Sequence, residues 1–214
     1  MKIAYYAYRD WAISIFSKID IAEKYLISSK DYLILDAIKP DLVFFIGWSD
    51  IIPSNIIDAY TCICLHPSPL PKYRGGSPIQ NQIINGEKDS AITFFVMDQG
   101  LDTGDILYQE YLSLDGKLSD IFKRIESIGT EYINVIIDDY DSDNVVQRKQ
   151  DNLKSSYCKR RKEEDSEIKI DDILNNDPFL LYNKIRSLND PYPNAFIKCK
   201  NGKKLFLIDS KYEK

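Results

Sequence analysis

Histidine is nearly absent from this chain: of 214 residues only His66 is one, so a site that needs an imidazole has a single candidate. Cysteine is scarce too. Cys62, Cys64, Cys158 and Cys199 contain no CxxC pair, and neither a zinc site nor a disulfide framework is supported. No run approaches the roughly 18 apolar residues of a membrane span. The opening MKIAYYAYRDW has too short an apolar stretch and too early a charge pair for a secretory signal. These absences point to a cytoplasmic protein with no membrane partner. Positive charge is not in excess: 28 Lys and Arg stand against 33 Asp and Glu, a net charge of −5, which argues against nucleic acid as a partner. There are no internal repeats and no low-complexity tracts.

What is present is apolar and aromatic mass. The 44% apolar content, with 15 Tyr and 9 Phe, excludes a disordered chain, and the length suits one main domain with a small appendage. Residues 2–8, KIAYYAY, read as a strand, and Asp10 is placed to cap a helix whose apolar positions Trp11, Ile15, Phe16 and Ile19 recur at helical spacing. Residues 41–46, DLVFFI, between Pro40 and Gly47, form the continuous apolar run of a strand buried on both faces, and residues 60–65 form another. Residues 78–85 start a helix that Gly86 ends, and 91–97 and 106–112 read as strands. From Leu118 the positions Ile121, Phe122, Ile125, Ile128, Tyr132 and Ile136 trace one face of a helix opened by Ser119.

Strand and helix alternating in this way predict an α/β domain, an open sheet with helices on both faces whose ligands sit beyond the carboxyl ends of the strands. Residues 138–167 carry DDYDSDN and KRRKEED and read as a surface connection. AFIKCK and KKLFLID flank Asn201-Gly202, a pair that suits a tight C-terminal β-hairpin with two residues at positive φ. The expected organisation is a main unit over residues 1–150 and a connecting segment with a small subdomain over 151–214.

Side chains alternate along residues 60–65, so Cys62, Cys64 and His66 share one side if the extended geometry reaches the histidine. That puts Cys64 and His66 in one cleft at a strand's carboxyl end; an ordinary structural histidine accounts for the position as well. The stretch MDQGLDTGD, residues 97–105, follows a buried strand with three Asp and two Gly. The glycines allow close backbone approach to a ligand, and one Asp can stand beside His66. A plain turn accounts for the same residues.

Together, LHPSPLPKYRGGSPIQ, ITFFVMDQGLDTGDILYQ, SYCKRRKEEDSEIKID and IRSLNDPYPNAFI resemble the folate-dependent formyltransferase family, over about residues 39–197. The resemblance implies a Rossmann-like, mostly parallel sheet and transfer of a formyl group from N10-formyltetrahydrofolate to an amine, with no metal. The family's catalytic trio is Asn, His and Asp. His66 and Asp102 match the last two, and Cys64 stands where the Asn is expected. By this resemblance His66 donates to the developing oxyanion, while Asp102 orients the imidazole and helps take the proton released by the amine, directly or through a water. A thiol is a weak donor. Cys64 therefore leaves open whether another group supplies the donor, turnover is slow, or the protein binds without reacting; a packing role for this cysteine competes with a nucleophilic one.

The resemblance also implies a folate pocket lined by Trp48, Ser49, Asp50, Ile51 and Ile52 after the DLVFFI strand and by Asp98, Gln99, Gly100 and Leu101 beside Asp102. Arg9, Trp11, Lys72 and Arg74 are candidate acceptor contacts, an Arg beside a Trp being able to hold a phosphate and stack a base. An exposed Arg, a core Trp and a solvated loop account for the same residues. Within the family, methionyl-tRNA enzymes carry a longer C-terminal domain and glycinamide-ribonucleotide enzymes generally lack a DPYPNAFI-type tail. The expected acceptor is thus a nucleotide-linked amino sugar used for surface polysaccharide, with methionyl-tRNA as the alternative. The tail hairpin is the one surface suggested for a homodimer.

Overall fold

The computed structural model describes residues 1–190 and 192–213; Pro191, within the tail motif, and Lys214 fall outside them. The chain runs β1 (Lys2–Tyr6), α1 (Asp10–Ser17), β2 (Glu23–Ile27), α2 (Ile34–Ile38), β3 (Leu42–Ile46), α3 (Ser54–Ala59), β4 (Cys62–His66) and β5 (Arg74–Gly75). It continues through α4 (Pro78–Ile84), β6 (Asp89–Val96), β7 (Ile106–Ser113), α5 (Leu118–Asp141), β8 (Tyr157–Cys158), α6 (Ile170–Asn175), α7 (Pro178–Ser187), β9 (Ala195–Lys198) and β10 (Lys204–Leu207).

Six strands form one sheet in the order β2-β1-β3-β4-β6-β7. The first four are parallel, and β6 and β7 pair antiparallel. This is the Rossmann-like, mostly parallel arrangement. Successive side chains serve opposite layers, as strand geometry requires. Ile3, Tyr5, Phe44, Ile63 and Leu65 pack with α1, α4 and α5, whereas Ala4, Tyr6, Val43, Phe45 and Cys62 pack with α2 and α3. Each such large apolar side chain, fully buried, contributes about 1.5–3 kcal/mol. Because β1 has β2 on one side and β3 on the other, the sheet reverses its winding there, and a crevice opens beyond the carboxyl ends of β1, β3 and β4.

Three local expectations are corrected. Asp10 is the first helical residue of α1, not its cap, and Arg9 precedes it without a side-chain cap bond. α5 begins before Ser119, and Asp120 Oδ2 accepts from the Lys117 backbone N–H at 3.3 Å. The tail hairpin forms, but its last strand pair is Lys198 with Lys204, and the loop between them is closed by the Cys199 N–H donating to the Lys203 carbonyl at 2.8 Å. In that loop Gly202 takes φ +76° while Asn201 does not enter the positive-φ region.

The stretch read as a surface connection is laced to the main sheet. Ile106 and Arg148 exchange two backbone hydrogen bonds of 2.8 Å, and β8 pairs in parallel with β5, matching Arg74 to Tyr157 and Gly75 to Cys158. Ile168, Ile185, Leu188 and Ala195 then form a small second core behind the hairpin.

Candidate active site

His66 ends β4 and is 6% exposed. Its Nε2 lies 2.8 Å from the Tyr73 carbonyl oxygen. A carbonyl can only accept, so Nε2 carries the hydrogen and Nδ1 is the ring nitrogen left for chemistry. Nδ1 is 3.6 Å from Asp102 Oδ2. Asp102 sits at φ +54°, a left-handed conformation that Asp tolerates better than most residues, and its Oδ2 also accepts from the Gly75 N–H at 2.8 Å. Gly75 is required at that junction: its φ is +101°, and a Cβ would stand 2.4 Å from the Cys158 carbonyl oxygen. The two stretches singled out in the sequence thus meet at His66 and Asp102.

Arg74 and Lys72 lie elsewhere. Arg74 is 1% exposed, roofed by the Tyr157 ring, and its guanidinium donates to Gln150 Oε1 at 2.6 and 3.1 Å and to Asn152 Oδ1 at 2.8 Å. Gln150 Nε2 in turn donates to the carbonyls of Asp102 at 3.0 Å and Gly104 at 2.7 Å. The pairing of β5 with β8 folds chain over Arg74, so it braces the Asp102 loop from behind and does not reach a ligand in the cleft. Lys72 lines a separate polar depression with Tyr73, Asn85, Glu87 and Tyr157.

Cys64 shares the cleft with His66, packed beside Leu70, Phe95, Ile106 and Met97. Burial, and then the Asp102 carboxylate, push its thiol pKa well above the ordinary value. Cys158, which no local pattern in the sequence marks as a site residue, also lines the cleft, and burial raises its thiol as well. Its Sγ lies 3.2 Å from the Gly76 carbonyl oxygen. Both thiols keep their protons, and a protonated thiol is a poor nucleophile.

The cleft above these groups encloses roughly 1010 Å³. One wall holds all nine positions expected for folate, Trp48 to Ile52 and Asp98 to Leu101. Trp48 packs edge-on against Tyr6 and Tyr8, Ile52 is buried, and Ile51 projects outward at 91% exposure. Asp98 turns back into its own loop, accepting from Gly100 N–H at 3.0 Å and the Thr103 hydroxyl at 2.5 Å. Asp50 is paired with Lys30 at 2.9 Å.

The opposite wall contains Arg9 and Trp11 together with Gln80, Phe122 and Tyr192, three residues that no motif marked as site residues. The Arg9 guanidinium lies 5.1 Å from the Tyr8 ring centroid and 5.0 Å from that of Tyr192. Trp11 stacks on Phe122 and Phe122 on Tyr192. Their signals in the sequence are indirect: Phe122 belongs to the α5 stripe, and Tyr192 to the DPYPNAFI motif. At the mouth, Arg160 Nη2 donates to the Ser49 carbonyl at 2.8 Å, and the Tyr8 and Ser49 hydroxyls are hydrogen-bonded. Among the described residues no group of three or more His, Cys, Asp or Glu could hold a metal ion, and no helix is long and apolar enough to cross a membrane.

The profile of the formyl transferase family matches residues 12–137, which include both His66 and Asp102. The chain belongs to that family. Its members are enzymes that transfer formyl groups. A methionyl-tRNA formyltransferase from Campylobacter curvus is 36% identical over 163 residues, covering 76% of this chain and 52% of that protein. The chain thus spans about half the length of the curated relatives it matches. The solved structure of a methionyl-tRNA formyltransferase from Clostridium thermocellum matches with TM-score 0.81 and 32% identity over 96% of each chain. A 4-N formyltransferase from Francisella tularensis shares the fold, with TM-score 0.79 and 23% identity over 100% of this chain and 98% of that one.

Proposed function

We propose that this formyl transferase family member is a cytoplasmic N-formyltransferase that moves a formyl group from N10-formyltetrahydrofolate to the amine of a nucleotide-linked amino sugar, for surface polysaccharide synthesis. The observation that carries the reading is the His66–Asp102 pair, Nδ1 to Oδ2 3.6 Å, at the floor of a cleft with two unlike walls. In this reading residues 1–150 carry the chemistry and 151–214 complete the cleft through Cys158, Arg160 and Tyr192.

The wall of Phe45, Trp48, Ile52, Ile57 and Met97, flanked by the backbone of residues 98–102, suits a flat conjugated heterocycle whose polar edge needs backbone partners. The bound donor supplies an electrophilic formyl carbon. Around it, His66 in its protonated form donates from Nδ1 to the oxygen that gains negative charge, because Nε2–H is committed to the Tyr73 carbonyl. Asp102 Oδ2, held by Gly75 N–H, takes the proton lost by the attacking amine, directly or through a water, and that proton balances the one needed by N10 of tetrahydrofolate as the formyl C–N10 bond breaks. Cys64, with its proton retained, acts as a weak donor and packing group.

The acceptor wall supports a small nucleotide-linked substrate. Arg9 presents a guanidinium stacked between two rings, where a diphosphate can pair with it and a base or sugar can lie along Trp11. The net charge of −5 agrees with a small acceptor better than with a polyanion. The names of the curated relatives favour a second reading, methionyl-tRNA as acceptor.

A formyl-transfer assay with N10-formyltetrahydrofolate, a panel of nucleotide-linked 4-amino sugars and methionyl-tRNA tests this directly. Turnover on a sugar that falls about 10²–10⁴-fold in His66→Ala and in Asp102→Ala is expected. Formylation of methionyl-tRNA alone establishes the second reading. Folate binding with no turnover on any acceptor, restored by Cys64→Asn, marks a protein that kept the fold and lost a donor.

A further inference from the structure

Two glutamines of α4 stand two residues apart and are both buried, yet only one is satisfied. Gln82 Nε2 donates to the Pro67 carbonyl at 2.9 Å and the Pro78 carbonyl at 3.1 Å, and its Oε1 accepts from the Ser90 hydroxyl at 2.6 Å. Gln80 is 3% exposed, lines the cleft, and its Nε2 has no hydrogen-bond partner among the described residues. Leaving such a donor buried and unpartnered is unfavourable, because its lost hydration is not replaced. Gln82 is a structural fastener; Gln80 is an amide held ready.

The neighbours of Gln80 show what it can meet. Tyr192, on the same wall, has its hydroxyl pKa raised by burial against an opposing effect of Arg9 and, more weakly, of the Gln80 amide, although no hydrogen bond of good geometry joins the two side chains. A half-turn about χ3 of Gln80 keeps the side chain's shape. It lets the Tyr192 hydroxyl donate to Oε1 and leaves the NH₂ free for another acceptor. Trp11 Nε1, on this wall too, is a second buried donor without a partner among the described residues. Arg9 supplies the positive charge here, so the uncharged amide is suited to an uncharged oxygen.

We propose that Gln80 is a specificity-determining residue that reads a hydroxyl group next to the reacting amine of the acceptor, and so selects an amino sugar bearing that hydroxyl over its deoxy analogue. An amide can both donate and accept, as can a hydroxyl, and a site built to bond a hydroxyl discriminates strongly against a ligand that lacks it. The proposal rests on the amino-sugar reading above.

The test compares wild type with Gln80→Met and Gln80→Leu on two probes: a nucleoside-diphosphate-linked 4-amino-4,6-dideoxyhexose with a hydroxyl beside the amine, and the same sugar without it. Wild type is expected to favour the hydroxylated probe by at least about tenfold in kcat/KM. In either variant that preference collapses to within about threefold, mainly through KM for the sugar, while KM for the folate donor is unchanged. A preference that persists in both variants, or an equal loss on both probes, overturns the role of Gln80 alone. Wild type inert on every sugar overturns the amino-sugar reading and this proposal with it. Gln80→Leu keeps the comparison available if Gln80→Met loses tetrahydrofolate binding.

Discussion

The two walls of the cleft are built in different ways. The wall read as the folate side comes chiefly from two continuous loops, residues 48–52 after β3 and 98–102 after β6, each attached to a strand buried in the central sheet, with Phe45 of β3 and Ile57 of α3 beside them. The opposite wall is assembled from α1, α4, α5 and the tail, so that Arg9, Gln80, Phe122 and Tyr192 meet only once the chain has folded. A loop fixed to a strand end is positioned by its own strand. A wall drawn from four elements depends on how those elements pack, and its geometry can change through any of them.

Three perturbations sharpen that contrast. The largest effect is expected beneath both walls. Arg74→Met removes the brace of the Asp102 loop: a fully buried, hydrogen-bonded guanidinium is lost, and the half-buried Gln150 acceptor loses its two donors. A loss of about 2–4 kcal/mol, or roughly 5–15 °C in melting temperature, follows by thermal unfolding, and both substrates bind worse in kinetics of the folded fraction. A melting temperature within about 2 °C of wild type contradicts the brace. Next in size, Arg9→Ala and Trp48→Ala separate the walls. Each is expected to raise one KM by about tenfold, the acceptor's for Arg9 and the folate's for Trp48, leaving the other nearly unchanged. If either variant moves both constants together, the walls are not independent.

The smallest effect is a count of reactive thiols. Cys199 is exposed, whereas burial pushes the Cys62 thiol up to about 12 and raises Cys64 and Cys158 as well. The thiolate is the reactive form, so at pH 8 a group with a pKa near 12 is ionised to only about one part in 10⁴. One fast equivalent of thiol reagent is expected in the native protein and four after denaturation. A second fast equivalent lost on binding an acceptor places Cys158 in a more open wall than the structure shows.

The same contrast governs what could be read in the sequence. DLVFFI and the 60–65 run announced β3 and β4 because a strand buried on both faces is a continuous apolar run, and the Asp-Gly loop followed directly from β6. β2, Glu23–Ile27, escaped notice because it is an edge strand with most of its side chains exposed. β5 and β8 are two residues each, too short for any periodicity, yet their pairing is what buries Arg74 and brings Cys158 to the cleft. No local pattern could show that an arginine in a Pro- and Gly-rich loop would be enclosed by chain 83 positions later. His66 and Asp102 were legible as a pair through the family motifs, while the hydrogen bond that fixes the imidazole runs to the Tyr73 backbone, and no side-chain pattern encodes a carbonyl's direction.

The scarcity of histidine has a practical consequence. His66 is the sole imidazole, and its two nitrogens stand in unlike settings, Nε2 on a carbonyl and Nδ1 toward a carboxylate. In a protein prepared without a histidine tag, one pair of ring carbon-bound proton signals reports this centre with no assignment problem. Nitrogen-15 labelling of histidine alone would display the tautomer, the arrival of each substrate and the protonation step as shifts of two lines, so the chemistry of the cleft can be followed spectroscopically in the intact, unmodified chain.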